Sequence, residues 1–361
     1  MRTRRALVST PILVLAALAF CAVALCGHTG ARATGFSSPV RLSRPAGSQQ
    51  PHLATDGGRI AFASGREIFL INADGSGLTQ LTYSATDVYN YQPALSPDGT
   101  RVAFARVQGG QAGISIIDVN GTGQWMLTTN SLTRDSEPAW SPDGQKIAFV
   151  RGYDPTSEGV ANLSQCGPAR IYVTDVDGVF TNLINLTPDQ SSTDPAWSPD
   201  GTRIAFASNK DGNYDIYSMA SDGSDVQQLT STRAHEAEPT WSPDGKWIAY
   251  ASNYVGVEVA CGFIHTGRGG GGDPFSVQPD IYLMSSDGSD QTRLTETENN
   301  LEPTWSPDGL SLAFVSFYED DFEICVMDPF HKIPFCITSD SAFKSSPSWS
   351  RSDPRLPTGS K

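Results

Sequence analysis

A chain of 361 residues with 39% hydrophobic and 18% charged residues has the composition of a folded protein rather than a disordered one. Its 34 glycines and 24 prolines exceed their usual joint share of about 12% and point to turn-rich β structure. A net charge of −14 repels nucleic acid and anionic lipid at long range, which excludes those partners and leaves neutral or basic ones, although the same charge also serves simply to keep a protein soluble.

Arg2, Arg4 and Arg5 open the chain, residues 6–26 carry no charge, and Ala31-Arg32-Ala33 is an A-x-A-type cleavage site. Residues 1–33 therefore read as an export signal. The alternative is an uncleaved anchor, since 21 uncharged residues are long enough to cross a bilayer. Cleavage removes four arginines and no acid, leaving 21 basic against 39 acidic residues, a net charge of −18, and no stable membrane span. Cys166, Cys261, Cys325 and Cys336 remain. An even number of cysteines in an exported chain suggests disulfides, with three possible connectivities.

Residues 34–50 form a short segment in which Val40-Arg41-Leu42-Ser43 resembles an outer strand. From Pro51 onward the chain repeats itself. Pro93-Ala94-Leu95-Ser96-Pro97-Asp98-Gly99 recurs from Pro138, Pro195, Pro239 and Pro303 with tryptophan at its centre. A degenerate copy, Pro51 to Gly57, starts the series and a truncated one, Pro347-Ser348-Trp349-Ser350, ends it. The prolines are spaced 42, 45, 57, 44, 64 and 44 residues apart, so there are six units of about 44 residues, two with insertions. Residues 351–361 are read as a flexible tail.

Each unit reads as four strands. Pro-x-Trp-Ser is the first, and Ser-Pro-Asp-Gly is turn chemistry, with proline presetting φ and glycine accepting positive φ. Apolar runs such as Ile204-Ala205-Phe206-Ala207 are the second, and Asp215-Ile216-Tyr217-Ser218-Met219 is typical of the third. Asp222-Gly223 is a hairpin turn, and the fourth strand ends in Leu-Thr, as at Leu229-Thr230. Four antiparallel strands per unit of this length predict an all-β fold, a six-bladed β-propeller over residues 51–350. Either Val40–Ser43 or Pro347–Ser350 closes the ring. A closed ring leaves few free edges, and a monomer is expected.

The W-S-P-D-G…I-A-F…D-I-Y-x-M…D-G…L-T pattern resembles the propeller repeat of the TolB family across residues 51–350. The resemblance implies protein partners in the cell envelope, near the peptidoglycan or outer membrane, and a periplasmic or extracellular location. TolB itself carries an α/β domain before its propeller, whereas 17 residues separate Ala33 from Pro51 here.

Two long insertions, 151–169 and 253–279, fall on the face opposite the Ser-Pro-Asp-Gly corners, where binding residues are expected to collect. Glu137, Asp194, Glu238 and Glu302 each precede a repeat proline and are expected to ring one mouth of the central channel; Gln92 and Ser346 fill the other two places. Four carboxylates there either hold a cation or a basic segment of a partner, or accept hydrogen bonds from neighbouring blades. His235 lies near this mouth, and Tyr153, Tyr254, Phe263, His265 and Arg268 lie in the insertions. Cys261 and His265 lack a second ligand pair, so no metal or other cofactor is assigned. Aligned with the fourth unit, Cys325 falls at Tyr217 and Cys336 at Gln228, positions equidistant from the hairpin turn, so a disulfide across strands three and four fits there. Cys166 and Cys261 lie in the two insertions, where pairing would tie non-adjacent units together.

Three functions are weighed on these residues. The first is a non-catalytic protein-binding module of the envelope. The second is a glycan binder or polysaccharide lyase, with loop aromatics stacking on sugars. The third, a peptidase accessory, lacks a Gly-x-Ser-x-Gly elbow and a hydrolase domain.

Overall fold

The computed structural model describes residues 58–109, 111–129, 133–153, 168–176, 182–252, 279–296, 299–318, 321–339 and 342–350, the side chains of Tyr153 and Tyr318 excepted. The export signal, the 34–50 segment, the tail, Cys166 and Cys261 lie outside them.

The described residues form six four-stranded antiparallel sheets, arranged as the blades of a propeller. Blade 1 contains β1 (Arg59–Ser64), β2 (Glu67–Asn72) and β3 (Thr79–Gln80). Blade 2 contains β4 (Val88–Leu95), β5 (Arg101–Gln108), β6 (Gln111–Asp118) and β7 (Trp125–Met126). Blade 3 contains β8 (Thr133–Trp140), β9 (Lys146–Tyr153), β10 (Arg170–Asp175) and β11 (Ile184–Asn185). Blade 4 contains β12 (Ser192–Trp197), β13 (Arg203–Ser208), β14 (Asp215–Ala220) and β15 (Gln227–Gln228). Blade 5 contains β16 (Glu236–Trp241), β17 (Trp247–Ser252), β18 (Asp280–Ser285) and β19 (Thr292–Arg293). Blade 6 contains β20 (Asn300–Trp305), β21 (Leu312–Tyr318), β22 (Asp321–Met327) and β23 (Pro334–Cys336). The last strand, β24 (Lys344–Ser350), pairs antiparallel with β1 and completes blade 1, so Pro347–Ser350 closes the ring.

The second strand of each blade explains the ring. Successive side chains of a strand point to opposite faces. In β13, Ile204 and Phe206 join the apolar cluster shared with blade 3, while Ala205 and Ala207 join the one shared with blade 5. In β17, Ile248 and Tyr250 press against those two alanines, and Ala249 faces blade 6. The same division holds for Ile60 and Phe62, Val102 and Phe104, Ile147 and Phe149, and Leu312 and Phe314. Each blade thus inserts two large side chains into the space left by small ones on the blade before it.

The turns lock the corners. In Ser198-Pro199-Asp200-Gly201, the Ser198 hydroxyl donates to Asp200 at 2.6 Å, and the N–H groups of Thr202 and Arg203 donate to Asp200 at 3.0 Å and to Ser198 Oγ at 2.9 Å. Gly201 takes φ of 72°, which a side chain would strain. The Ser198 hydroxyl and the Thr202 N–H hold the Asp200 carboxyl below its ordinary range, and Ser141 with Gln145 does the same for Asp143. Lowered in the folded state, these groups contribute stability above the ordinary Asp range that is lost as the pH falls through their folded values.

The fourth strand is shorter than the sequence pattern suggests. β15 ends before Leu229-Thr230 because both of their N–H groups converge on the Ile216 carbonyl, at 2.8 and 3.2 Å, and the chain leaves the ladder. Leu229 then fills the blade 4–5 cluster, and the Thr230 hydroxyl accepts the Ile216 N–H at 2.8 Å. Cys325 and Cys336 are register partners across β22 and β23 and form a disulfide, as expected from the alignment.

Two outcomes follow from this packing. Phe206→Ala is expected to cost about 3–5 kcal/mol in urea unfolding, and Ala205→Ile, which overfills the opposite face, about 1–3 kcal/mol. Replacing both Cys325 and Cys336 by alanine is expected to cost about 2–3 kcal/mol in the same measurement.

Candidate functional site

Each inner strand enters from one end of the ring, here the loop face, and ends at a corner on the other, the turn face. Glu137, Asp194, Glu238 and Glu302 lie within β8, β12, β16 and β20, each three residues before the tryptophan that ends its strand. With Gln92 and Ser346 they share one backbone state, φ between 51° and 58°. Non-glycine residues rarely adopt it, and it costs of order 1–2 kcal/mol each. Every inner strand also shifts register at this residue and its proline, which has no N–H to give to the ladder.

The bulge turns N–H groups towards the preceding blade. The Glu137 N–H donates to the Gln92 side-chain oxygen at 3.1 Å, and the Asp194 N–H donates to the Glu137 carboxylate at 2.7 Å. The Glu302 N–H donates to Glu238 at 2.5 Å, and the N–H and hydroxyl of Ser346 donate to Glu302 at 2.5 and 3.1 Å. The sequence left two roles open for these carboxylates, and the geometry realises the bond to a neighbouring blade. Charge-assisted bonds of this kind offset the backbone strain.

His235 sits just before β16. Its Nδ1 accepts the Tyr214 N–H at 3.4 Å, and its ring lies 6.2 Å from that of Tyr214. Tyr254, Phe263, His265 and Arg268 lie outside the described residues, as does the Tyr153 side chain. The insertions nevertheless have fixed roots. One leaves β9 and returns at β10, and the other leaves β17 and returns at β18, so both depart from the loop face. Tyr83 and Phe343 also belong to inter-blade loops on this face; they are 80% and 51% exposed, and the sequence reading did not select them. Phe343 stacks edge-on against Phe322 at 5.0 Å, and Phe322 in turn against Phe317 at 5.1 Å. A large aromatic in an inter-blade loop was the available signal.

At the turn end of the axis, a cavity of about 320 Å³ is lined from all six blades, by Trp140, Trp197, Trp241, Trp305, Trp349 and Pro97 among others. Among the described residues, no group of three or more His, Cys, Asp or Glu side chains is arranged to hold a metal ion. Likewise, no helix among them is long and apolar enough to cross a membrane.

The architecture is that of a β-propeller built from one repeat, and comparison with known proteins identifies the repeat. The family model of the TolB beta propeller domain matches residues 37–167 and 155–260, and the chain belongs to that family. A Protein TolB homolog of Chlorobium chlorochromatii is 33% identical over 139 residues, 32% of this chain and 31% of the homolog. The chain thus matches about a third of the length of the curated relatives. The crystal structure of TolB from Acinetobacter baumannii superposes with a TM-score of 0.63 at 20% identity, covering 81% of this chain and 66% of that one. An oligogalacturonate lyase in complex with manganese superposes at 0.51 and 14% identity, covering 77% and 73%. These structural likenesses concern the fold.

Removing one of these inner-strand carboxylates isolates its structural share. Glu302→Ala is expected to cost about 1–3 kcal/mol in urea unfolding. Glu302→Gln is expected to cost less, because its amide oxygen still accepts the Ser346 N–H.

Proposed function

We propose that this propeller is an exported, non-catalytic protein-binding module of the cell envelope, and that its partner is a neutral or basic protein engaged on the loop face. The observation that supports this reading is the convergence on one face of the roots of both insertions and the exposed rings of Tyr83 and Phe343. A rigid ring holding long loops at one end suits recognition of another macromolecule. The relatives named TolB support an envelope setting. In this reading Glu137, Asp194, Glu238 and Glu302 supply the negative field of the mouth while bonded between blades, and His235, Tyr153, Tyr254, Phe263, His265 and Arg268 supply contacts around it.

A glycan-binding role is the second reading. It rests on the exposed rings of Tyr83 and Phe343, since sugars stack on such rings, and on the fold shared with the lyase.

A crosslinking pull-down from an envelope extract separates the two. The baits are residues 34–361 and the same chain with 255–278 replaced by a short Gly-Ser loop. Recovery of one protein by the intact bait alone is the expected result. Retention of both baits on polysaccharide resin, with no specific protein, would favour the glycan reading instead.

A further inference from the structure

Where each blade meets the next, two positions face each other beneath the loop face: the residue that opens the third strand's apolar run, and the residue two before the repeat proline's neighbour on the following inner strand. Between blades 1 and 2, Asn90 donates to Glu67 at 3.1 Å. Between blades 2 and 3, Gly113 stands opposite Asp135, which is held by Arg151 at 2.6 and 2.7 Å. Between blades 3 and 4, the pair is Arg170 and Ser192. Between blades 5 and 6, Asn300 donates to Asp280 at 3.2 Å. Between blades 6 and 1, Lys344 pairs with Glu323 at 3.1 Å. Each of these interfaces sets a carboxylate against an amide or a cation, or carries no second acid.

The interface between blades 4 and 5 departs from this rule. Here Asp215, at 2% exposure, faces Glu236, at 0%, whose N–H donates to the carbonyl of Tyr214, the neighbour of Asp215, at 2.8 Å. Their hydrogen-bond partners are neutral. Glu236 accepts from the hydroxyls of Thr232 at 2.5 Å, Thr230 at 3.2 Å and Ser252 at 3.2 Å, and Asp215 accepts from Gln228 at 3.0 Å and Asn213 at 3.5 Å. Among the described residues, the surrounding titratable groups add no cation. Tyr217 donates to Asp211 at 2.7 Å, Lys210 lies over the Tyr217 ring at 5.0 Å, Tyr250 is buried on β17, His235 is turned to the Tyr214 backbone, and Arg233 is exposed. Two like charges in so dry a place cannot both be carried at low cost.

We propose that Asp215 and Glu236 hold one proton between them, and that the joint between blades 4 and 5 is tight with this proton bound and looser without it. Glu236 donates and Asp215 accepts. Burial, together with the bond to Asp215 and its charge, pushes Glu236 up to about 7, and burial raises Asp215 as well. Ser252, bonded to Glu236, is the last residue before the 253–279 insertion, so deprotonation acts at the root of that loop. The sign is that of a raised group. The stability is fully present below the ordinary Glu value of 4.5 and is lost as the pH rises to about 7.

Thermal and urea unfolding of the full chain between pH 4.5 and 8 tests this. Relative to Glu236→Gln, whose amide still donates to Asp215 and has no proton to lose, the wild type is expected to lose about a hundredfold in its folding equilibrium constant across the window. Parallel curves for wild type and Glu236→Gln would overturn the proposal. Should Glu236→Gln not fold, carboxyl-carbon NMR of the glutamate-labelled wild type decides: one glutamate titrating near 7 supports the shared proton, and none titrating above 5.5 overturns it.

Discussion

No blade of this protein can stand alone, because each has two apolar faces. The alternation along the second strand decides how they are covered. Ile204 and Phe206 point one way and Ala205 and Ala207 the other, so each blade is large on one side and small on the other. Such an object packs head to tail. Head-to-tail packing has no natural end, so it must close on itself or leave one large and one small face in water. Here it closes after six blades, when Ile60 and Phe62 of blade 1 meet Ala313 and Val315 of blade 6. The closing strand β24 joins the two ends of the described fold in one sheet, through Trp349 opposite Ile60.

The polar features follow from that ring. An inner strand that bulges at its proline turns an N–H towards its neighbour, and a side chain on the preceding blade accepts it. The same bulge strings Glu137, Asp194, Glu238 and Glu302 along the inner strands, with the carboxylates of Glu137, Glu238 and Glu302 each bonded to the next blade. At the turn end the corners carry the rigidity, and the cavity there is lined by the tryptophans of the repeat. The two ends differ in chemistry because the repeat is polar where its inner strands begin and aromatic where they end.

Much of this was legible because the repeat is regular. The proline spacings fixed the number of blades, the Ser-Pro-Asp-Gly corners fixed where strands turn, and the alignment of Cys325 and Cys336 with Tyr217 and Gln228 placed the disulfide. The closing strand was not legible, since Val40–Ser43 and Pro347–Ser350 both fit a strand pattern and only pairing distinguishes them. The left-handed backbone at Glu302 was hidden as well, because a residue before proline ordinarily prefers an extended conformation. Nor could the facing of Asp215 and Glu236 be read along the chain. They belong to different blades, and their meeting depends on the stagger of one sheet against the next. Tyr83 and Phe343 escaped notice because they interrupt no motif.

The claim that ring closure, rather than any single blade, confers stability is tested most directly by urea unfolding of the chain ended at residue 343, followed by both tryptophan fluorescence and far-ultraviolet circular dichroism. Without β24, the large face of blade 1 loses its sheet partner. The account predicts that the two signals, coincident and sharply cooperative in the full chain, become shallow and separate in the shortened one. A shortened chain that unfolds in one sharp transition at an unchanged midpoint would contradict it.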